Sequence, residues 1–178
     1  MAKYISKVLV TEEQIREICT RLGKAITDDY QGKEILLICV LRGAVVFMAD
    51  LMREIDIPCE IDFMSVSSYS GTKSSGVVKI VKDLDCDIEG RDVIIVEDIV
   101  DSGLTLSHLK ELLETRNPSS IRIATCFDKP DRRRADVHVD YIGMKIPDEF
   151  IVGYGLDYEG KYRNLPEVCV LADDGLEE

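Results

Sequence analysis

The sequence predicts an α/β fold with a mostly parallel central sheet flanked by helices. Three observations predict it. Apolar runs such as EILLICVL (34–41) and VIIV (93–96) have the character of strands buried on both faces. Segments of helical period stand between them. Small polar turns mark the strand–helix junctions, and this alternation is what a parallel sheet requires.

Each element follows from its residues. Thr11 to about Tyr30 reads as a helix: Thr11 is a favoured cap, Glu12 and Glu13 suit the first turn, and Ile15, Ile18, Leu22 and Ile26 share one face. EILLICVL then forms a central strand that ends at Arg42-Gly43, and a second helical segment runs on through Arg53. Glu60 to Ser67 alternates as a strand does. SSYSGTKSSG (67–76) is too small and polar to bury itself and is expected to be a mobile loop. VVKIVKD follows as a strand or hairpin partner. VIIV leads through acids and glycine into the helical LSHLKELLET, and IRIATCF is a strand ending in the turn Asp128-Lys129-Pro130. VDYIGMKIP and FIVGYGLD are shorter strand candidates, and residues 172–178 are expected to fray. No repeat or linker divides the chain, so one domain over 1–178 is expected; at 178 residues it has length for a substantial core.

Composition narrows the function. Lys and Arg total 22 against 34 Asp and Glu, a net charge of -12. That disfavours broad nucleic-acid binding, which depends on excess basic residues. KPDRRR (129–134) remains either a local basic site or a solvated loop. The first residues lack a signal-peptide core, and no apolar run approaches the roughly 20 residues of a membrane span. A soluble, cytoplasmic protein with no membrane partner is expected. The six cysteines form no CxxC pair, so reduced structural thiols are expected, and the two histidines offer little to a His-based metal site or triad.

The chemistry gathers at the strand ends, where α/β sheets bind ligands. Arg42-Gly43, Glu97 to Thr105, Lys129 and Asp157 all follow predicted strands. In DSGLT, Gly103 permits close backbone approach, Ser102 and Thr105 supply hydroxyls, and the following helix offers free amides. Alone, the segment reads first as a capped helix start, since Asp and Ser are favoured caps. It lacks GxxxxGK[ST], which argues against nucleoside triphosphate hydrolysis. Glu97 and Asp98 add a second requirement, since carboxylates near a core need a partner. On a strand they point to opposite faces, which suits two ribose hydroxyls, met directly or through hydrated Mg²⁺. Sugar-binding acids beside a phosphate cradle describe a phosphorylated-ribose site.

EDIVDSGLT resembles the signature of the type I phosphoribosyltransferases. Together with LRGA, SSYSGTKSSG, FDKPDRRR and IPDEFIVGYGLDYEGKYRNLP, in that order from about Ile5 to Leu171, it resembles the bacterial 6-oxopurine branch of that family. The resemblance implies the type I fold, with a small hood formed by N- and C-terminal segments. It implies transfer of a phosphoribosyl group from 5-phosphoribosyl 1-pyrophosphate to hypoxanthine or guanine, with Mg²⁺ as cofactor. By the same resemblance, Glu97 and Asp98 hold the ribose and its Mg²⁺, and Asp101 is general base or proton acceptor at the purine imidazole nitrogen. Ser102, Gly103, Leu104 and Thr105 wrap the 5-phosphate. Arg42 and Gly43 form a pyrophosphate loop with a non-proline cis peptide. Lys129 donates to the exocyclic oxygen, Phe150 stacks on the base, and Ile151 offers backbone contacts. Asp157 anchors a second Mg²⁺, Arg163 binds pyrophosphate, and Ser68 and Tyr69 belong to a lid. A homodimer or homotetramer is implied.

Residue by residue, plainer roles stand beside these: Phe150 as core, Asp157–Arg163 as a surface ion pair, Lys129 as a turn lysine. Leu104 fills a variable signature position, and Arg42 stands where many relatives carry Lys. A ligand-binding regulator of nucleic acid and a phosphoacceptor signalling domain are the alternatives from other classes. The first has KPDRRR in its favour and the acidic charge against it; the second would not need the DSGLT cradle.

Overall fold

The computed structural model describes residues 3–68 and 78–173. In chain order the elements are β1 (Lys3–Val10), α1 (Glu12–Asp29), β2 (Ile35–Leu41), α2 (Val45–Leu51), β3 (Cys59–Ser68) and β4 (Val78–Lys82). They continue with β5 (Asp92–Val100), α3 (Leu104–Glu114), β6 (Ser120–Asp128), β7 (Tyr141–Lys145), β8 (Ile151–Val152) and β9 (Val168–Asp173). Short 3-10 turns occupy Met52–Glu54 and Pro130–Arg132.

The main sheet runs β4-β3-β2-β5-β6-β7, parallel except at the β3–β4 edge. Burial on both faces explains the unbroken apolar runs. Ile35, Leu37 and Cys39 of β2 pack with Ile15, Ile18, Leu22 and Ile26 of α1 and with Phe47 and Leu51 of α2. Leu36, Ile38 and Val40 point into the other layer, with Leu106, Leu109 and Leu113 of α3. The expected α/β fold is therefore a three-layer sandwich. Helix α1 begins as its sequence predicts: Gln14 N–H donates to Thr11 Oγ1 at 3.3 Å, and Thr11 N–H donates to Gln14 Oε1 at 2.9 Å. This reciprocal cap satisfies two otherwise unpaired amides.

Strand order reverses between β2 and β5. From β2 the chain moves outward to β3, and from β5 it moves outward to β6. The β2–β5 ladder ends at Cys39↔Val96, whereas β5 stays paired with β6 through Glu97↔Thr125 and on to Val100↔Asp128. A crevice opens beside the last residues of β5, at the switch point where such sheets bind ligands. The expectation that the strand stops at Val96 is corrected here: Glu97 and Asp98 lie inside β5, because β6 continues to supply ladder partners on one side.

A separate three-stranded sheet, β1-β9-β8, makes the hood. β1 and β9 are antiparallel, from Lys3↔Asp173 to Val10↔Val168. Ala172 and Asp173, expected to fray, are instead held in β9 by this pairing, and residues 174–178 lie outside the described residues. FIVGYGLD gives only the two-residue β8, followed by a bridge between Gly153 and Leu156. Asp157 accordingly sits in the hood's β8–β9 connection and not at the end of a central strand. Of the expected loop at 67–76, Ser67 and Ser68 finish β3, while Tyr69 to Gly76 lie outside the described residues.

Candidate active site

The crevice is built from three strand ends and the hood. After β2 comes Arg42-Gly43, with the Leu41–Arg42 peptide cis as expected. Arg42 is exposed, but Gly43 is buried, and Asp98 occupies the space a side chain at 43 would need. A Cβ on Gly43 would lie 1.6 Å from Asp98 Oδ2. On the hood side, Gly155 closes on the same loop at φ +93°, and a Cβ there would lie 2.2 Å from Gly43 O. Glycine at both positions lets the β2 loop, Asp98 and the hood meet backbone to backbone.

Glu97 and Asp98 point apart, as neighbours on a strand must. Asp98 faces Gly43. Glu97 lines a cavity of about 130 Å³ together with Asp101, Ser102, Gly103 and Thr105. Burial, with Asp98 beside it, pushes the Glu97 carboxyl well above its ordinary value. Burial pushes Asp98 up to about 6, the backbone N–H of Ile99 and the Arg163 charge opposing the rise and Asp157 adding to it. A cation bound between these two half-buried carboxylates would favour their charged forms against that burial. Among the described residues no cluster of three or more His, Cys, Asp or Glu forms a metal cage. This donor set fits an ion that keeps several waters and takes its other ligands from substrate oxygens, the habit of Mg²⁺.

The DSGLT turn follows β5 directly. Gly103 stands in the left-handed region (φ 75°) as the cap of α3, with no side-chain capping bond. Leu104 N–H reaches back to Ser102 Oγ at 3.4 Å. Glu97 and Asp101 stand on the wall of the same cavity as Ser102, Gly103 and Thr105.

Lys129 closes the far side. It is 6% exposed, which rules out an ordinary turn lysine, and its Nζ donates to Glu149 O at 2.6 Å. Burial lowers its pKa, while the nearby Asp101 and Asp148 carboxylates work to raise it. Phe150 is 48% exposed, so it is not core; its ring meets Tyr158 edge-on at 5.7 Å. Ile151, next along, is buried in β8. Arg163 Nη2 lies 2.6 Å from Asp157 Oδ1, and Nη1 donates to Gly155 O at 2.6 Å. The Asp157–Arg163 pair is thus half-buried and joined to the hood backbone and to the field at Asp98. Tyr154, Glu159 and Tyr162 hold positive φ around it, conformations that persist where surrounding structure dictates them.

The structure brings Glu97, Asp101, Ser102, Gly103 and Thr105 to one cavity, sets Asp98 against Gly43, joins Arg163 and Asp157 to them through Gly155, and puts Lys129 in the field of Asp101; Arg42, Leu104, Phe150 and Ile151 adjoin these segments in the chain. Ser68 ends β3, and Tyr69 lies outside the described residues. A larger cavity, about 500 Å³ between α1, α2 and Tyr154–Pro166, shares only Arg163 with this group among the described residues. Gly155 and Arg132 escaped the sequence reading. Gly155 sits in the quoted GYG run, and its positive φ has no one-dimensional signature.

A mostly parallel sheet with two adjacent half-buried acids and a glycine turn at its switch point is the arrangement of the phosphoribosyltransferase class. The phosphoribosyl transferase domain family matches residues 9–159, and the chain belongs to that family. It is 54% identical to the hypoxanthine-guanine phosphoribosyltransferase of Streptococcus thermophilus, over 98% of this chain and 97% of that one. The Staphylococcus aureus protein of the same name is 52% identical over 94% of each. Among solved structures, a hypoxanthine phosphoribosyltransferase from Staphylococcus aureus superposes with a TM-score of 0.93 at 50% identity, covering 98% of this chain and 95% of that one. A hypoxanthine-guanine phosphoribosyltransferase from Bacillus anthracis gives 0.90 at 46%, covering 96% and 100%.

Proposed function

We propose that residues 1–178 form one phosphoribosyltransferase domain acting in purine salvage. It transfers the phosphoribosyl group of 5-phosphoribosyl 1-pyrophosphate to a ring nitrogen of hypoxanthine or guanine and releases pyrophosphate. The observation that carries the purine half is buried Lys129, which feels the charge of Asp101 and donates to the carbonyl of Glu149, the residue before exposed Phe150. A side chain that only donates and a carboxylate that can accept thus share that side of the site.

Ser102 to Thr105 bind the 5-phosphate through the amides at the start of α3 and through hydroxyls, with Leu104 contributing only backbone. Glu97 and Asp98 face the ribose hydroxyls and would hold a Mg²⁺ ion there, and Asp157 would hold a second; such ions would supply neutralising charge to the phosphates and the departing pyrophosphate. Gly43 and Arg42 present the β2 loop to the pyrophosphate, and the Arg163 guanidinium faces the same charge. The anomeric carbon gains oxocarbenium character as the bond to pyrophosphate breaks. Asp101 Oδ1 is shut off from solvent without a hydrogen-bond partner among the described residues. The side chain as a whole is 43% exposed, so its other oxygen is the one open to an imidazole N–H of the base, and Asp101 accepts that proton as the new C–N bond forms. Lys129 donates to the exocyclic oxygen and has no acceptor for the amino group of adenine.

The paired arginines of KPDRRR count against the nucleic-acid reading: Arg132 engages Asp101 and Asp148, and Arg133 engages Asp128. No helix among the described residues is long and apolar enough to cross a membrane. A cytoplasmic homodimer or homotetramer completes the proposal. The test is incubation with the sugar donor and each of hypoxanthine, guanine, xanthine and adenine, with and without Mg²⁺. Nucleotide should form with hypoxanthine or guanine in the presence of Mg²⁺; no product from either oxopurine would refute the assignment.

A further inference from the structure

KPDRRR divides its three arginines among different tasks. Arg133 pairs with buried Asp128. Arg134 and Ala135 donate their backbone N–H groups to Ser102 O at 2.9 and 3.1 Å. Arg132 faces the crevice: its Nε lies 2.8 Å from Asp101 Oδ1, and its Nη1 lies 3.3 Å from Asp148 Oδ1. The segment is a strap fastened to the phosphate cradle, and Arg132 is the residue that touches the base side.

The geometry of the Asp101 contact is informative. Nε is close enough for an ion pair, yet its N–H is not aimed at Oδ1, which has no hydrogen-bond partner among the described residues. The guanidinium therefore covers Oδ1 and holds the carboxylate by charge and shape, while the side chain as a whole stays 43% exposed and leaves its other oxygen to the incoming nitrogen. A second cation, Lys129, competes for the same carboxylate, since Asp101 contributes to its electrostatic environment. Without Arg132, Asp101 would be drawn toward Lys129, away from the incoming nitrogen. The planar fork also spans to Asp148, one residue before the Glu149 carbonyl that receives the Lys129 bond. A planar two-carboxylate bridge suits arginine and not lysine.

With Asp101 taken as the proton acceptor proposed above, we infer that Arg132 is a positioning residue, orienting Asp101 between the phosphate cradle and Lys129 and keeping the two apart. It acts through Asp101, against the carboxylate oxygen that is closed to the base.

The test is a double-mutant cycle on nucleotide formation from hypoxanthine, using wild type, Arg132→Gln, Asp101→Asn and the double variant. Melting curves accompany the rates, and Arg132→Lys enters the same cycle if Arg132→Gln fails to fold. Arg132→Gln should lower kcat roughly 10- to 100-fold, the scale of a misplaced reacting group. The KM for the sugar donor should stay within about twofold, since donor binding is made elsewhere. In the Asp101→Asn background the same substitution should cost nothing further. An equal loss in both backgrounds, or an unchanged kcat, overturns the positioning role. Full activity of Asp101→Asn overturns the proton-acceptor assignment itself, and with it the role of Arg132.

Discussion

Gly155→Ala separates backbone strain from the specific meeting of hood and β2 loop. Gly155 has φ +93°, and an added methyl would lie 2.2 Å from Gly43 O and 3.1 Å from Gly43 C. The left-handed conformation alone costs a non-glycine residue about 1–2 kcal/mol. Forcing a methyl into backbone that cannot yield adds about 1–3 kcal/mol. The sum is about 2–5 kcal/mol, and at about 2–4 °C per kcal/mol for a chain of this size it predicts a melting point lower by about 4–20 °C. Gly32→Ala is the control, because Gly32 has φ +75° with nothing within 4 Å of the added carbon. It should lose only the strain, about 1–2 kcal/mol. The two variants also differ in kinetics. Displacing Gly43 disturbs its contact with Asp98, so Gly155→Ala should raise the KM for the sugar donor several-fold and leave the purine KM little changed; Gly32→Ala should alter neither. Thermal unfolding and initial-rate kinetics decide the matter. Equal stability losses and equal KM values for the two variants would show that the close approach of Gly155 to Gly43 does not shape the donor site.

Two further outcomes follow from buried charges. Lys129→Gln places an amide that can accept as well as donate where only a donor stood, so discrimination against adenine should weaken; competition assays with mixed bases showing an unchanged preference would remove Lys129 from base reading. Asp62 is 5% exposed, and burial works to raise its pKa, but N–H groups of Phe63, Asp85 and Cys86 overcome that and leave it below the ordinary value. A depressed carboxylate adds stability above its unfolded pKa and loses it as pH falls through the folded one. Asp62→Asn should therefore cost about 1–3 kcal/mol at pH 7 by setting an amide against those donors. The gap from wild type should narrow below about pH 4 in urea titrations; a gap that stays constant or widens in acid would contradict the assignment.

Much of the main sheet was legible because its cause is local. Both-face burial writes continuous apolar runs into β2 and β5, and the Thr11–Gln14 cap writes its own start for α1. The cluster at Glu97 to Thr105 was legible for the opposite reason, since polar residues interrupt a buried run. The hood was not. β1 pairs with β9 from the far end of the chain, and no spacing in KYISKVLV announces that partner; only the resemblance implied it. The length of β5 escaped for a related reason, because Glu97 and Asp98 stay in the strand through β6, which the local pattern does not contain. Arg132 shows the remaining gap. Its sequence reads as charge, and its distance from Asp101 exists only once β5 and β6 lie side by side.

The hood's threading sets an order of events during synthesis. β8, which carries Ile151 and adjoins Phe150, is paired to β9, and Leu171 N–H donates to Phe150 O at 2.8 Å. Most of the residues proposed for sugar and phosphate, Arg42 to Thr105, lie between β2 and α3 and leave the ribosome first, whereas Asp157 and Arg163, proposed for the pyrophosphate end, and Phe150, proposed for the base, stand on the hood. Domains fold as units, so the hood waits for β9. A chain broken off before Val168 would lack the strand that holds β1 and β8, and with it the support for the Phe150 wall and the Asp157–Arg163 pair alike.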